Sequence, residues 1–127
     1  MTIRRALGTL FCLSPVLLLV VSGLFVDRVH SPVAFWLLIP AGLVALLNCY
    51  LSFARPILCR WRYGSTDDYR HVSGIPAVGS VLVLAGGIVG FGALSAVALG
   101  LAATLVDTGG SPWFLVATWR DQSLWDK

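Results

Sequence analysis

Residues 75–106 read IPAVGSVLVLAGGIVGFGALSAVALGLAATLV, and this stretch contains no charged side chain. As one helix it would be about 48 Å long, which exceeds the hydrocarbon thickness of about 30 Å even with strong tilt. A split at Gly90-Phe91-Gly92 gives two legs of about 15 residues, and each leg rises about 22 Å. The stretch therefore predicts a hairpin of two membrane helices with its turn at residues 90–92.

The composition of the whole chain indicates a membrane protein. Of its 127 residues, 57% are hydrophobic and 12% are charged, whereas a soluble domain carries about 25% charged residues. The net charge of +3 comes from basic residues that cluster at the ends of apolar segments. Membrane topology requires that placement, so we expect the lipid bilayer, and no nucleic acid, as a partner.

Two further apolar segments precede the hairpin. Residues 6–26 and 33–54 each supply the roughly 20 apolar residues that span a bilayer, and a short polar turn separates them. The first segment is longer than the core of a signal peptide and lacks an A-x-A cleavage site. We therefore expect it to remain as the first membrane helix.

The basic residues predict how often the chain crosses the membrane. The chain has nine Lys and Arg residues. With a cytoplasmic N-terminus and four crossings, all of them except Arg28 lie inside, whereas three crossings would place Arg120 and Lys127 outside as well. The positive-inside rule therefore favours four crossings of a bacterial inner membrane with both termini in the cytoplasm.

These patterns predict an all-α fold, an integral membrane four-helix bundle of two hairpins that forms a single domain over residues 1–127. A cytoplasmic loop over 55–71 joins the two hairpins. The alternative is three transmembrane helices followed by an interfacial C-terminal segment. The four expected helices cover residues of about 6–26, 33–54, 72–90 and 93–108, the last with a possible extension to 119.

The only long polar stretch, residues 55–74, mixes charges with Trp61, Tyr63 and Tyr69. Aromatic rings and long basic side chains are favoured where a chain meets the membrane interface. The charged side chains of this stretch are therefore candidates for contact with a partner: Arg60, Arg62, Asp67, Asp68 and Arg70.

Small residues recur at helical spacing in the second hairpin. They are Gly86, Gly90, Gly92, Ala96 and Gly100. In lipid, helices associate through close backbone approach at such residues. We favour contacts inside one bundle over a homodimer, although the pattern is compatible with a homo-oligomer.

Residues 105–114, LVDTGGSPWF, interrupt the apolar sequence. Asp-Thr-Gly is the active-site triplet of aspartic proteases, whose two carboxylates lie on turns of a β-framework. The residues before Asp107 instead have the pattern of a membrane helix. We therefore predict a helix break at Gly109, Gly110 and Pro112, with Ser111 capping the next segment.

Two polar side chains are predicted to lie at membrane depth. Asp107 should face protein or water because a carboxylate in lipid is costly, and we expect it to pair with an arginine of the polar stretch. Asn48 lies well inside the second apolar segment, where we expect it to bond to a neighbouring helix.

No catalytic or cofactor motif is present. The sequence has no P-loop, no G-x-S-x-G and no H-E-x-x-H, and Cys12, Cys49 and Cys59 have no metal-ligand spacing. No nucleophile, base and orienting group can be assembled from these residues. We expect a protein that is not an enzyme and needs no cofactor or metal.

HVSGIPAVGS at 71–80 and LVDTGGSPWFLVATW at 105–119 resemble a loose group of uncharacterised small multi-pass inner-membrane proteins of bacteria. The group shows Ser-x-x-Pro-x-x-Gly and Asp-x-Gly-x-x-Pro motifs, and some members lie beside toxin genes. The resemblance therefore implies a toxin or another membrane protein as a partner. The matching positions are Ser73, Pro76, Gly79, Asp107, Gly109 and Pro112.

The expected function follows from the scarcity of intramembrane charge. We predict a non-enzymatic inner-membrane protein that acts by protein–protein binding, as an immunity protein or a membrane-complex subunit. Its contacts would be residues 55–74 and the C-terminal aromatic segment. The alternative is a small oligomeric transporter or channel that uses Asp107 and Asn48.

Overall fold

The computed structural model describes residues 3–27, 31–64, 74–75 and 77–125, except the side chains of Gln122 and Ser123. Within them the chain forms seven α-helices and one π-helix. The elements are α1 (Ile3–Leu24), α2 (Pro32–Cys49), a π-helix (Tyr50–Ala54), α3 (Arg55–Tyr63), α4 (Val78–Val89), α5 (Leu94–Val106), α6 (Ser111–Thr118) and α7 (Gln122–Trp125).

The prediction of an all-helical bundle is confirmed. Helices α4 and α5 pack against each other, and each also packs against α1 and α2. Leu19, Leu38 and Val83 are almost fully buried there, together with alanines from α2 and α5. Three segments are long and apolar enough to cross a membrane, whereas α4 is a shorter apolar helix; the three are Ile3–Leu24, Pro32–Tyr63 and Leu94–Thr118.

The turn between α4 and α5 is bonded to the end of α1. Gly92 has a φ of 81°, which glycine adopts without strain. Its backbone N–H donates to the buried Ser22 hydroxyl at 2.8 Å, and its carbonyl accepts from the N–H of Asp27 at 2.9 Å. Asp27, Ser31 and Gly92 mark this end of the bundle, which we term the hairpin end.

Both ends of the described chain meet at the opposite end. The Arg5 guanidinium donates to the Trp119 carbonyl at 2.6 Å and lies over the Trp119 ring, 4.4 Å from its centroid. Trp125 is buried against Gly8. We term this the charged end, marked by Arg5, Arg55 and Arg120. The first and last described helices therefore lie side by side at this end of the bundle.

Residues 55–63 are helical, so the prediction of a loop over 55–71 is wrong in its first half; residues 65–71 lie outside the described ones. The Arg55-Pro56 pair predicts a helix end because proline lacks an N–H and clashes with the preceding turn. The π-helix accommodates that proline, since the N–H of Arg55 bonds to the carbonyl of Tyr50, five residues back.

The length of α1 matches a bilayer. From Arg5 to Leu24 the helix rises about 28 Å, close to the thickness of about 30 Å of the hydrocarbon layer. Helix α3 continues α2 beyond the charged end, and Tyr63 lies about 12 Å past Arg55 along the helix axis. A hydrocarbon layer that extends over the length of α1 would leave residues of α3 outside it.

The small residues of the second hairpin contact side chains of the same chain. A Cβ added at Gly86 would overlap Leu38, and one added at Gly100 would overlap Leu19. Each contact brings the backbone of one helix close to a leucine of another. The pattern in α4 and α5 therefore serves packing within one bundle.

Replacing Gly90 by Ala should destabilise the bundle. The new Cβ would lie 2.6 Å from the Ala34 Cβ and 2.7 Å from the Ala96 Cβ, both rigidly attached to backbone. We expect a loss of about 1–3 kcal/mol, the usual cost of overpacking, and a lower midpoint of thermal unfolding in detergent. Gly23→Ala is the control, because its Cβ would meet only Val97 at 3.5 Å. Equal midpoints for the two variants would contradict this packing.

Candidate functional site

A buried polar contact joins α2 to the end of α5. The Nδ2 of Asn48 donates to the Oδ1 of Asp107 at 2.6 Å. Asn48 is 1% exposed and Asp107 is 3% exposed. The structure thus shows the bond expected of Asn48 to a neighbouring helix, and its partner is the acidic residue of the helix break.

Asn48 also holds the backbone that leads into α4. Its Nδ2 donates to the Ile75 carbonyl at 3.2 Å, and its Oδ1 accepts from the Ile75 N–H at 2.9 Å. Gly74 lies so close that a Cβ there would overlap the Asn48 Oδ1. One amide side chain therefore bonds to both backbone polar groups of Ile75, just before α4, and binds Asp107 as well.

Asp107 lies where α5 ends and the chain turns into α6. Its Oδ1 accepts a bond from the Gly109 N–H at 3.2 Å, and its carbonyl accepts from the Gly110 N–H at 2.9 Å. A side chain that bonds to the backbone two residues later stabilises such a turn. Helix α6 then begins with Pro112 in its first turn, where the missing N–H is harmless.

Ser111 does not cap α6, contrary to expectation. Gly110 occupies the N-cap position with an extended backbone, and Ser111 is the first helical residue. The Ser111 hydroxyl bonds to the Cys12 carbonyl at 3.0 Å, and its N–H donates to the Ser80 hydroxyl at 2.9 Å. These bonds link α6 to α1 and α4, so the serine joins helices instead of ending one.

The start of α4 faces the Asp107 carboxyl group. The other carboxyl oxygen, Oδ2, lies so close to Gly79 that a Cβ there would overlap it. The N–H of Ala77 donates to the Gly109 carbonyl at 3.1 Å, which fixes the two turns together. The first turn of α4 thus packs directly against the Asp107 carboxyl group.

The described contacts of the Asp107 carboxyl group are with an amide and a backbone N–H, where the sequence predicts an arginine; Arg70, one of the predicted partners, lies outside the described residues. Within the described part of the chain, the bonds of its carboxyl group run to Asn48 and Gly109. Arg60 and Arg62 are exposed on α3, beyond the charged end. The described donors to Asp107 are therefore an amide and a backbone N–H.

We define the polar cluster as the side chains of Asn48, Ser80, Asp107 and Ser111. Cys12, which contributes its carbonyl, lies about 10 Å from Arg5 along α1 and about 18 Å from Leu24. A hydrocarbon layer that extends over the length of α1 would therefore contain the cluster, nearer to the charged end. Polar groups at such depth are tolerated when they bond to one another, and here they join α1, α2, α4 and α6.

Of the sequence-predicted residues, the structure brings Asp107, Asn48, Gly109, Gly110 and Pro112 together. Gly79, one of the positions carried by the resemblance, joins them. Asp67, Asp68, Arg70, Ser73 and Pro76 lie outside the described residues.

Ser80 was missed as a site residue. It is 7% exposed and accepts the bond from the Ser111 N–H. The sequence offers one sign of this role, a serine hydroxyl between apolar residues of α4. Such a hydroxyl fits a hydrogen bond to its own helix equally well. Only the position of α6 beside Ser80 shows that the bond is to Ser111.

The chemistry available in the cluster is hydrogen bonding around one acid. No group of three His, Cys, Asp or Glu that could hold a metal ion is gathered among the described residues. The cluster instead combines one carboxyl group, one amide and two hydroxyls. Such a set holds helices together, and it can also bind or pass a proton at the carboxyl group.

The fold and its apolar helices define a class, the all-helical proteins suited to span a membrane. Comparison with protein-family models, with curated proteins and with solved structures finds no match to this chain.

A double-mutant cycle should show that Asn48 and Asp107 act as a pair. Asn48→Ala leaves a buried carboxyl group without its amide donor, and Asp107→Ala leaves a buried amide without its acceptor, so each costs about 1–3 kcal/mol. We expect the double variant to cost less than their sum by about 0.5–2 kcal/mol, measured by unfolding in mixed detergent micelles.

Ser22→Ala provides the matched control for the cycle. Ser22 is as buried as Asn48, but it bonds to Gly92 at the hairpin end. Its cost should add to that of Asn48→Ala within about 0.5 kcal/mol. Additivity of Asn48→Ala with Asp107→Ala would show that the bond between them contributes nothing to stability.

Proposed function

We propose that this chain is a non-enzymatic multi-pass membrane protein that acts by binding another protein at its charged end. The observation that carries the proposal is the position of Trp61 on α3, where its side chain is 89% exposed. Trp61 belongs to the polar stretch, residues 55–74, for which the sequence predicts contact with a partner.

The depth of Trp61 argues against a purely lipid environment. It lies six residues beyond Arg55, about 9 Å past the charged end along the helix. The headgroup layer on each side of a bilayer is about 5–7 Å thick. A tryptophan anchored in the interface would lie closer to the hydrocarbon, so this side chain extends into the region where a juxtamembrane partner binds.

The neighbours of Trp61 have the composition of a binding surface. Arg60 and Arg62 flank it and are exposed, and the Arg62 guanidinium lies 5.9 Å from the centroid of the Tyr63 ring. Trp, Tyr and Arg are the residues that most often dominate the binding energy of protein interfaces. The surface of α3 is therefore suited to a partner that supplies apolar contact and acidic groups.

The charged end faces the cytoplasm in this proposal, because basic residues concentrate on that side of an inner membrane. The partner is then the cytoplasmic flank of another membrane protein, or a toxin that reaches the membrane from within. Phe114 and Trp119 of the C-terminal part are also exposed in this half of the bundle, and they offer a second contact to a partner embedded beside it.

Photo-crosslinking tests the proposal directly. A photoreactive amino acid replaces Trp61 in one variant and Trp36 in the other, and both are irradiated in native membranes. Trp36 is the matched control, since it is 73% exposed but lies within the first turns of α2. We expect one discrete protein adduct from position 61 and only lipid adducts from position 36.

The adduct must then depend on the wild-type side chain. Trp61→Ala should weaken co-purification of the crosslinked protein by about tenfold or more, as for a central interface tryptophan, whereas Trp36→Ala should leave it unchanged. Adducts to lipid alone at position 61 would contradict the proposal.

A small transporter or channel is the second candidate function. Asp107 supports it, because a carboxyl group at membrane depth beside a broken helix is typical of ion and proton pathways. The contacts of the cluster favour a structural role instead. The Asn48 amide is fully used within the chain, and the N-terminus of α4 would repel a cation from Asp107.

Flux measurements separate the two candidates. The purified protein is reconstituted into liposomes with a pH-sensitive dye inside and a potassium diffusion potential across the bilayer. For a binding protein we expect proton entry equal to that of protein-free liposomes. A flux that Asp107→Asn abolishes without lowering the thermal midpoint would replace the binding function with transport.

A further inference from the structure

A groove runs along the N-terminal half of α1, beside α6 and α7. It has a volume of about 600 Å³, and three helices contribute to its lining. Leu7 and Phe11 line it from α1, Phe114 from α6 and Leu124 from α7. All four side chains are exposed. The groove is therefore an open channel between packed elements and not the face of a single helix.

Gly8 and Trp125 are the least exposed residues of the groove. A Cβ added at Gly8 would overlap the Trp125 ring, so the glycine allows α7 to pack closely against α1. The Trp125 Nε1 donates to the Thr118 carbonyl at 2.7 Å, and its polar atom is thus used within the chain. The surface that Trp125 offers to the groove is therefore apolar.

One cation lies at the end of this apolar groove. Among the described residues that line it, Arg4 alone is charged, and it is exposed. Phe11 lies seven residues further along α1, a rise of about 10 Å. The groove is therefore cationic at the charged end of the bundle and apolar toward its middle.

Positive charge surrounds the cationic end of the groove. The described residues at and beyond the charged end carry one acidic side chain, Asp121, against six arginines. The arginines are Arg4, Arg5, Arg55, Arg60, Arg62 and Arg120. Basic sites between membrane helices hold anionic headgroups, whereas a zwitterionic headgroup brings a second cation to the same place. The charge of this end therefore complements a headgroup with a net negative charge.

We infer that the groove binds one phospholipid with an anionic headgroup. Its phosphate lies at Arg4, because a planar guanidinium binds two phosphate oxygens at once. Its acyl chain lies along Leu7, Phe11 and Phe114. A hydrocarbon layer that extends over the length of α1 has Arg4 at its edge and Phe11 inside it, so each part of the lipid is at its ordinary depth. A protein segment fits less well, since the described apolar lining offers its backbone no hydrogen bonds.

This lipid site is separate from the contact proposed for α3. None of the residues that line the groove belongs to α3, so lipid binding and partner binding can each fail without the other. Phe114 is the residue that the groove shares with the proposed second contact. A partner that reaches α6 would therefore touch the bound lipid together with the helix.

Native mass spectrometry of the delipidated full chain in detergent tests the inference. The protein is titrated with phosphatidylglycerol and, separately, with phosphatidylcholine that carries the same acyl chains. We expect one phosphatidylglycerol to bind with a dissociation constant about fivefold or more below that of phosphatidylcholine. Equal binding of the two lipids, or a second polypeptide bound in place of a lipid, would overturn the inference.

Two arginine variants distinguish the groove from the general charge of the surface. Arg4→Gln should lower the preference for phosphatidylglycerol by about fivefold, because the guanidinium that holds the phosphate is lost. Arg120→Gln removes the same charge from an exposed residue of this end that does not line the groove. It should leave the preference within about twofold of the wild-type value, since solvent screens exposed charges. Equal losses in the two variants would overturn the inference.

A third variant closes the groove without changing the charge. Leu7 is 62% exposed, so Leu7→Trp fills the groove and does not enter the buried core. The thermal midpoint should not fall, but the affinity for phosphatidylglycerol should drop by about fivefold or more, because acyl contacts are lost. Leu24→Trp is the control, an identical change at an exposed residue near the other end of α1. Unchanged lipid binding in Leu7→Trp would place the lipid elsewhere and overturn the inference.

Discussion

The bond between Asn48 and Asp107 constrains the rest of this structure. A carboxyl group inside an apolar bundle must find its donors within the chain, because hydrocarbon offers none. Asp107 finds them in the Asn48 amide and the Gly109 N–H, and the same amide fixes the backbone at Ile75. The end of α2, the start of α4 and the break between α5 and α6 are therefore positioned by one shared set of contacts.

Close helix approach follows from the residues around that set. Gly74, Gly79 and Gly109 each lie where a Cβ would overlap Asn48 or Asp107, so the two polar side chains fit only because their neighbours are small. Toward the hairpin end, Gly86 and Gly90 continue the same approach against leucine and alanine. Hydrogen bonds between polar groups specify which segments meet. Dispersion contacts between tightly packed backbones add stability, because the hydrophobic effect does not drive helices together in lipid.

The sequence predicts the helical class because the length of an apolar segment can be read from consecutive residues. It also predicts the turn at Gly92, because the uncharged stretch around it is too long for one crossing. The partner of Asp107 is not a local property. Asn48 is 59 residues away, and no periodicity connects the two, so charge alone favoured an arginine. Helix α3 was missed because Arg55-Pro56 normally ends a helix, and the widened turn that tolerates the proline leaves no sequence signature.

The π-helix at Tyr50–Ala54 also sets the rotation of α3 about the helix axis relative to α2. It inserts one residue beyond the regular α-helical count, and each residue turns an α-helix by about 100°. The face that α3 presents is therefore rotated relative to the face of α2 that packs in the bundle. Regular α-helical winding of the same five residues would turn Trp61 by about 100° about the helix axis. Deleting a single residue here would restore regular winding and leave Trp61 pointing in nearly the same direction, because the wide turn absorbs one extra residue. The direction in which that tryptophan points is thus set by the wide turn and not by the sequence of α3.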